Sequence, residues 1–453
     1  MKSRVLLISS EPIGPRLAGP AIRVLELGGV LGRTGHQPIV AAPEVHHGAP
    51  AVGFPIVRFE KTRAGRVILP LLREVDVVVV PPHALFEFPF IRRAKLPIIV
   101  DLYDPVLFES VALDTWRSSP RRQLSARTQV AILRALLRRG DLFLCASERQ
   151  RDLWLGAAVI AGRVDAVLVQ DGAALRGLIE VVPFGIPALP PRRPAATPPA
   201  LKGVGPIRQS DKVILWGGGI WDWLDPLTLI RAFARIAATR DDAHLVFLGT
   251  TPPNESGPAM RNVSATRSLA ASLGLAGRRI HFREGWVPYA ERGSLLLEAD
   301  IGVTTHTQHL EARFAFRTRV LDYVWAGLPV VCTRGDVIAE LVASEGLGIS
   351  VPEGDEVALA EALERMLTDE IFVAACRGHL REIAPRLRWD EVAKPLVTFC
   401  ESPRMAPDRG RYGLRGFWHR GGALASRAME LLRDGGPRAL ALQAWRRLWL
   451  YLR

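Results

Sequence analysis

Two series of short β-branched runs alternate with helical stretches, and a proline-rich segment separates them. Residues 5–9, 38–42, 77–80, 98–102, 142–146 and 179–182 are short, apolar and bounded by turn residues, which predicts buried strands. Segments between them, such as 21–33 and 128–139, carry apolar residues at helical spacing. Six prolines then fall between Pro187 and Pro199. Fixed φ and missing N–H donors exclude helix and central strand there, so this stretch reads as a semi-rigid linker. The pattern restarts with strands at 213–216, 244–248, 279–282, 301–305 and 329–332, and helices at 226–238, 317–326 and 357–367. Alternating βα units imply parallel sheets covered by helices on both faces. The expected fold is α/β, with two doubly wound Rossmann-like domains facing across a cleft and a basic helical C-terminal tail. The expected boundaries are 1–187, a linker at 188–207, a second domain at 208–400 and the tail at 401–453.

Length agrees, because 453 residues exceed one ordinary core. The formal charge of +13 suggests a polyanionic partner, and nucleic acid, membrane and phosphate-bearing substrates all qualify. Only six of the 59 basic residues are lysines, a bias that a high-GC genome also produces. Cys145, Cys332, Cys376 and Cys400 form no C-x-x-C pair, so neither a zinc site nor a redox dithiol is expected. Scattered cysteines fit a reducing, cytoplasmic compartment. The apolar run after Met1-Lys2-Ser3-Arg4 is too short for a signal segment, and no charge-free stretch of membrane-spanning length occurs.

In doubly wound sheets, ligands bind beyond the carboxyl ends of strands. Gly217-Gly218-Gly219 ends one strand ahead of a helix, with Asp225 at the N-cap position and Pro226 at the first helical position. Glycines there let a backbone approach a phosphate closely. The second segment runs from His306 through Glu311, Arg313, Phe314, Arg317, Arg319 and Asp322 to Gly327-Leu328-Pro329. A helix starting near Arg317 would aim N–H groups outward, yet Arg313, Arg317 and Arg319 crowd that end. Cations oppose the helix dipole at that position, so either they pair with Glu311 and Asp322 or at least one faces a diphosphate.

Taken in order, these tags resemble the GT-B-fold glycosyltransferases of the retaining family-4 type. The tags are Gly19-Pro20, Gly35-His36, the Val100-Asp101-Leu102-Tyr103-Asp104-Pro105 stretch, Cys145-Ala146-Ser147-Glu148-Arg149-Gln150, Val182-Pro183-Phe184-Gly185-Ile186, the glycine loop, and Asp322 to Val331. The resemblance covers about residues 4–400. It implies a sugar-nucleotide donor on the second domain, an acceptor mainly on the first, and retention without metal or cofactor. The family's Arg/Lys pair after the first strand of the second domain falls on Gly219 and Leu224 here. The first of its two glutamates falls on Phe314 and the second on Asp322.

The resulting candidates are Asp104, Glu311 and Arg317 for catalysis. Gly217, Gly218, Gly219, Arg313, Arg317, Arg319 and Asp322 would bind the donor. Glu11, Arg16, Gly19 and Asp101 would meet the acceptor, a glycan or a lipid-linked sugar, in cell-surface polysaccharide or glycolipid synthesis. His306 and His309 are loop residues of the same rich segment. No metal site is expected. Asp104 and Asp225 also fit plain turn and capping chemistry. In the tail, Leu442, Trp445, Leu448, Trp449 and Leu452 share one helical face flanked by arginines. That face fits an anionic membrane surface, peripheral to the inner face of the plasma membrane, or a docking site on protein. Nucleic acid is disfavoured, because aromatic and basic residues do not interleave. A sugar-nucleotide epimerase of the same fold and a non-catalytic binding protein are the alternatives.

Overall fold

The computed structural model describes residues 2–113, 118–164, 175–194, 198–253 and 260–406. The chain divides into two compact units. One takes in residues 1–13, 20–183 and 393 onward, and the other residues 14–19 and 184–392. The tail helices read from the sequence, with Trp445 and Trp449, lie outside the described residues.

The first unit holds seven parallel strands. They are β1 (Arg4–Ile8), β2 (Gln37–Ala42), β3 (Ile56–Arg58), β4 (Val77–Val80), β5 (Ile98–Asp101), β6 (Leu142–Cys145) and β7 (Ile179–Val181), in the order 3-2-1-4-5-6-7. Strands β4, β5 and β6 are buried at every position, as expected where helices cover both faces. The sequence reading misses β3, a three-residue edge strand of half-buried and exposed residues after Pro55.

The second unit holds six parallel strands. They are β8 (Lys212–Gly219), β9 (Ala243–Gly249), β10 (Ile280–Phe282), β11 (Ile301–Thr304), β12 (Val330–Thr333) and β13 (Gly348–Val351), in the order 10-9-8-11-12-13. This is the 3-2-1-4-5-6 order of dinucleotide-binding sheets, with its strand switch between β8 and β11. Edge strand β13, mostly half-buried, was not read from the sequence. Strand β8 also runs past Trp216, where it was expected to stop. Its register shifts between Trp216 and Gly219, and Gly219 pairs with Gly249. Gly218 supplies the bulge at φ 104°, a conformation that side chains disfavour.

The linker is held by one carboxylate. Buried Glu298 accepts hydrogen bonds from the backbone N–H groups of Ala200, Leu201 and Lys202 at 2.7–3.0 Å, and Arg193 lies 3.3 Å away. Just ahead of the linker, the backbone of Ile186 exchanges hydrogen bonds with Leu387 and Trp389 at 2.8 and 3.1 Å. The helix Lys394–Glu401 belongs to the first unit, although the sequence assigned 208–400 to the second domain. It turns Leu396, Phe399 and Cys400 inward, packs beside β7, and accepts a 2.5 Å hydrogen bond from Ser3 Oγ at the Cys400 carbonyl.

At the amino end of the second sheet, Asp211, His244 and His281 form a chain. His244 Nε2 lies 3.0 Å from Asp211 Oδ2, and its Nδ1 lies 3.0 Å from His281 Nε2. Burial lowers both imidazole pKa values below 6.5, His281 to about 4. An unfolded chain takes up these protons near pH 6.5, whereas the fold refuses them until the pH is much lower. The unfolded state therefore binds more protons in that window, and stability falls as the pH falls. Urea titrations between pH 7 and pH 4.5 should show a declining midpoint, with a shallower decline in His281→Asn.

Candidate functional site

The carboxyl ends of β8 and β11 converge at the strand switch. The two strands pair only at Ile301–Ile214 and Gly302–Leu215. Beyond that point, the buried Tyr323 hydroxyl takes the place of the ladder. It accepts from the Gly217 N–H at 2.8 Å and lies 3.0 and 2.9 Å from the carbonyls of Leu215 and Val303. Burial raises its pKa to about 12, so it stays protonated and can donate to one of them. Tyr323 belongs to the helix Thr318–Ala326, which ends on Gly327 in the left-handed conformation. Past the glycines, Leu224 bridges His306, and the Asp225 N–H donates to the Thr305 carbonyl at 2.9 Å. Asp225 also caps the helix Pro226–Thr239 by accepting from the Thr228 N–H. The capping role read for it is therefore present.

The segment after β11 breaks into two helices, Leu310–Phe314 and Thr318–Ala326, with extended backbone at Ala315. His309 caps the first helix, its Nδ1 accepting from the Glu311 N–H at 3.2 Å. The break brings Arg317 back over the first helix. There it forms a two-pronged ion pair with Glu311, at 2.9 and 2.8 Å, with both side chains buried. Asp336 Oδ2 lies 3.5 Å from Arg317 Nε and 3.8 Å from His306 Nε2. Asp336 also caps the helix Val337–Ser344 through the Ala339 N–H. Burial raises the Asp336 pKa against the pull of Arg317, and lowers that of His306 to about 3. The His306 ring nitrogens have no hydrogen-bond partner.

Local pairing, the alternative weighed for Arg317, is thus its arrangement here, and Glu311 is closed inside the same pair. Asp322 pairs with Arg292 at 3.2 Å rather than with Arg319. Arg313 is exposed, with its guanidinium 5.9 Å from the Phe314 ring.

Arg319 is placed differently. It lies in the first turn of Thr318–Ala326, a helix start that no side chain caps. Its Nη2 donates to the Gly219 carbonyl at 2.8 Å, and its guanidinium sits 4.7 Å from the Trp216 ring centroid. Its Nη1 is buried without a partner. Burial lowers its pKa to about 10, which still leaves it charged at neutral pH.

In the first unit, Asp101 ends β5 and is consumed by Arg23. Arg23 Nε and Nη2 donate to Asp101 at 2.6 and 2.9 Å, and the guanidinium also donates to the carbonyls of Val182 and Pro183. Arg23 is fully buried and Asp101 nearly so. This pairing, 78 residues apart in sequence, corrects the expectation that Asp101 is open to an acceptor. Asp104 is half-buried and accepts from the Tyr103 hydroxyl, whose pKa rises through burial and this neighbouring charge. Glu11 is half-buried in the loop after β1, with its carbonyl accepting from Ser9 Oγ. Gly19 opens the helix Gly19–Arg33, and Arg16 is exposed. Among the described residues, no group of three or more His, Cys, Asp or Glu side chains could hold a metal ion. No described helix is long and apolar enough to cross a membrane.

The chain is similar to known proteins over this region and over its fold. The family model described as glycosyl transferases group 1 matches residues 211–369. The D-inositol 3-phosphate glycosyltransferase of Corynebacterium urealyticum is 28% identical over 215 residues, which are 48% of this chain and 48% of that protein. This chain therefore spans about half the length of that curated relative. Among solved structures, HepE of Anabaena in complex with UDP-glucose has a TM-score of 0.63 at 17% identity, covering 88% of this chain and 100% of that one. Sucrose-phosphate synthase of Thermosynechococcus elongatus has a TM-score of 0.62 at 16% identity, covering 88% and 98%. The family match lies within the second unit, and the structural likeness gives the chain the GT-B fold.

Removing Arg317 would leave Glu311 and Asp336 as buried carboxylates without their cation. Arg317→Ala should therefore destabilise the fold by about 3–5 kcal/mol in urea denaturation. Arg313→Ala, at an exposed position, should change it by less than about 0.5 kcal/mol.

Proposed function

We propose that this chain is a metal-independent glycosyltransferase. It takes a sugar from a nucleoside-diphosphate sugar and passes it, with retention, to a glycan or lipid-linked acceptor in polysaccharide or glycolipid synthesis. The observation that carries this reading is the buried, partnerless Nη1 of Arg319, beside the glycine bulge and the uncapped start of Thr318–Ala326. A charged donor with no acceptor, next to outward N–H groups, favours an anion. The Arg/Lys pair that the family resemblance implies falls on Gly219 and Leu224, and Arg319 approaches the same strand end from the neighbouring helix. As the sugar departs, charge develops on the diphosphate, and Arg319 together with the helix N–H groups would stabilise it.

In this reading the ion pair of Glu311 and Arg317 holds the helix start in place. Asp322 would meet the donor from the same helix if Arg292 releases it. On the first unit, Asp104 is the carboxylate proposed to accept the acceptor's proton, with Glu11, Arg16 and Gly19 near that acceptor. Asp101 and Arg23 would position the loop that carries Asp104. The donors named for relatives support the class, since HepE was solved with UDP-glucose. The basic segment 401–453 is proposed to rest on an anionic membrane.

A second reading has one observation in its favour. Glu311 is fully buried in its ion pair, which suits a binding protein that has lost the chemistry. Release of nucleoside diphosphate separates the two.

A thermal-shift panel of UDP-, GDP- and dTDP-sugars should give stabilisation by at least one donor. Arg319→Met should weaken affinity for that nucleotide at least tenfold, measured by calorimetry, while the unliganded melting temperature stays within about 5 °C, a shift of roughly 1–2 kcal/mol. No stabilisation by any donor would overturn the transferase reading.

A further inference from the structure

The loop between the glycines and the helix Pro226–Thr239 carries Trp221 and Trp223. Their rings are stacked, with centroids 5.6 Å apart and planes 11° from parallel. Trp286, in the loop after β10, closes one side at 6.3 Å from Trp221. All three indoles are half-buried and keep part of their surface in solvent.

The loop beneath them is fixed by directed hydrogen bonds. Asp222 Oδ1 accepts from the N–H groups of Arg261 and Asn262 at 2.7 and 3.2 Å. Asn262 Nδ2 reaches the carbonyls of Trp221, Asp222 and Leu224 at 3.0–3.3 Å. Trp221 also lies directly on the glycine strand, since a Cβ on Gly219 would stand 2.9 Å from its Nε1. Trp221 and Trp223 pack against the second unit's core on one side and stay partly open on the other. Rigid aromatic faces left half-open are the usual lining of a small-molecule site, and fixing them in advance saves ordering entropy on binding.

Charge narrows the ligand. Gly219 lies between two unlike surfaces, with the Arg319 guanidinium on its carbonyl and the uncharged Trp221 ring against its other side. A molecule lying along this strand end meets a cation at one point and a flat apolar face at the next. A sugar carrying a phosphate ester has that polarity, because its phosphate is anionic and one face of its pyranose ring presents only C–H groups. We infer that Trp221 and Trp223 form a stacking platform for a pyranose ring held beside the phosphate-binding end of β8. The inference rests on the donor reading and adds to it the residues that recognise the sugar. The same chemistry could come from the donor's sugar or from the acceptor's.

Calorimetry and intrinsic fluorescence on the full chain separate these cases. The first arm compares UDP with UDP-glucose, GDP with GDP-mannose, and dTDP with dTDP-glucose. The wild type should bind one sugar-bearing form about tenfold more tightly than its bare nucleotide. Trp221→Leu should erase that ratio while affinity for the bare nucleotide stays within twofold. The second arm titrates maltotriose as a free glycan, and quenching lost in Trp221→Leu with the first ratio intact assigns the platform to the acceptor. Trp223→Leu repeats both arms and decides the matter if Trp221→Leu fails to fold. Nucleotide binding with unchanged responses in both arms overturns the platform and leaves the donor reading standing. Failure of the wild type to bind any nucleotide overturns the donor reading, and the maltotriose arm then decides the platform alone. Silence in both arms overturns both.

Discussion

The Tyr323 hydroxyl is the interaction on which the second unit's site depends. Where β8 and β11 stop pairing, three backbone groups would lose their partners in a buried place, at a cost of about 1–3 kcal/mol each. One side chain meets all three, accepting from Gly217 and lying within reach of the carbonyls of Leu215 and Val303. The strands can then diverge without leaving buried polar groups bare. The arrangement also explains small residues nearby, since a Cβ on Gly302 would stand 2.4 Å from the Tyr323 ring. Because Tyr323 is four residues from Arg319, the same helix that props the strands apart also delivers the cation.

Charge in this region is organised around scarcity of water. Arg317 faces two buried carboxylates, and each would be costly to bury alone. The cluster is therefore a fixed part of the frame. Arg319 is half-buried, with its Nη1 shut away from solvent, and has only a carbonyl and an aromatic face for company. Two arginines two residues apart thus have opposite electrostatic situations, one satisfied and one wanting. The difference arises from the helix break at Ala315, which folds Arg317 back toward Glu311.

The sequence carries the α/β architecture well, because buried parallel strands such as β4 (all valine) advertise themselves as apolar runs. Edge strands β3 and β13 escape it, since half-buried residues in threes and fours give no such run. The glycine strand and the arginine-rich helix start are also legible, as residue types that need a reason. Their partners are not. Arg23 finds Asp101 across 78 positions, and Arg317 finds Glu311 only because a helix is interrupted between them. The role of Tyr323 depends on where two strands part, and the Trp221–Trp223 stack depends on a turn held by Asn262 from another helix. Spacing records periodic structure, whereas these contacts arise from tertiary geometry.

The first unit is discontinuous, with the helix Lys394–Glu401 returning to it after the second unit is complete. During synthesis, residues 20–183 leave the ribosome well before this closing piece exists. The second unit is contiguous apart from residues 14–19, and has its whole main segment in hand by Val392. The order of emergence is therefore not the order of completion, and the amino-terminal unit is the last to be finished. Until Cys400 arrives, the Ser3 hydroxyl and the side of β7 that this helix covers stay open to solvent. A nascent chain of this kind exposes unfinished apolar surface for the length of an entire second unit, the period in which chaperones would be needed most.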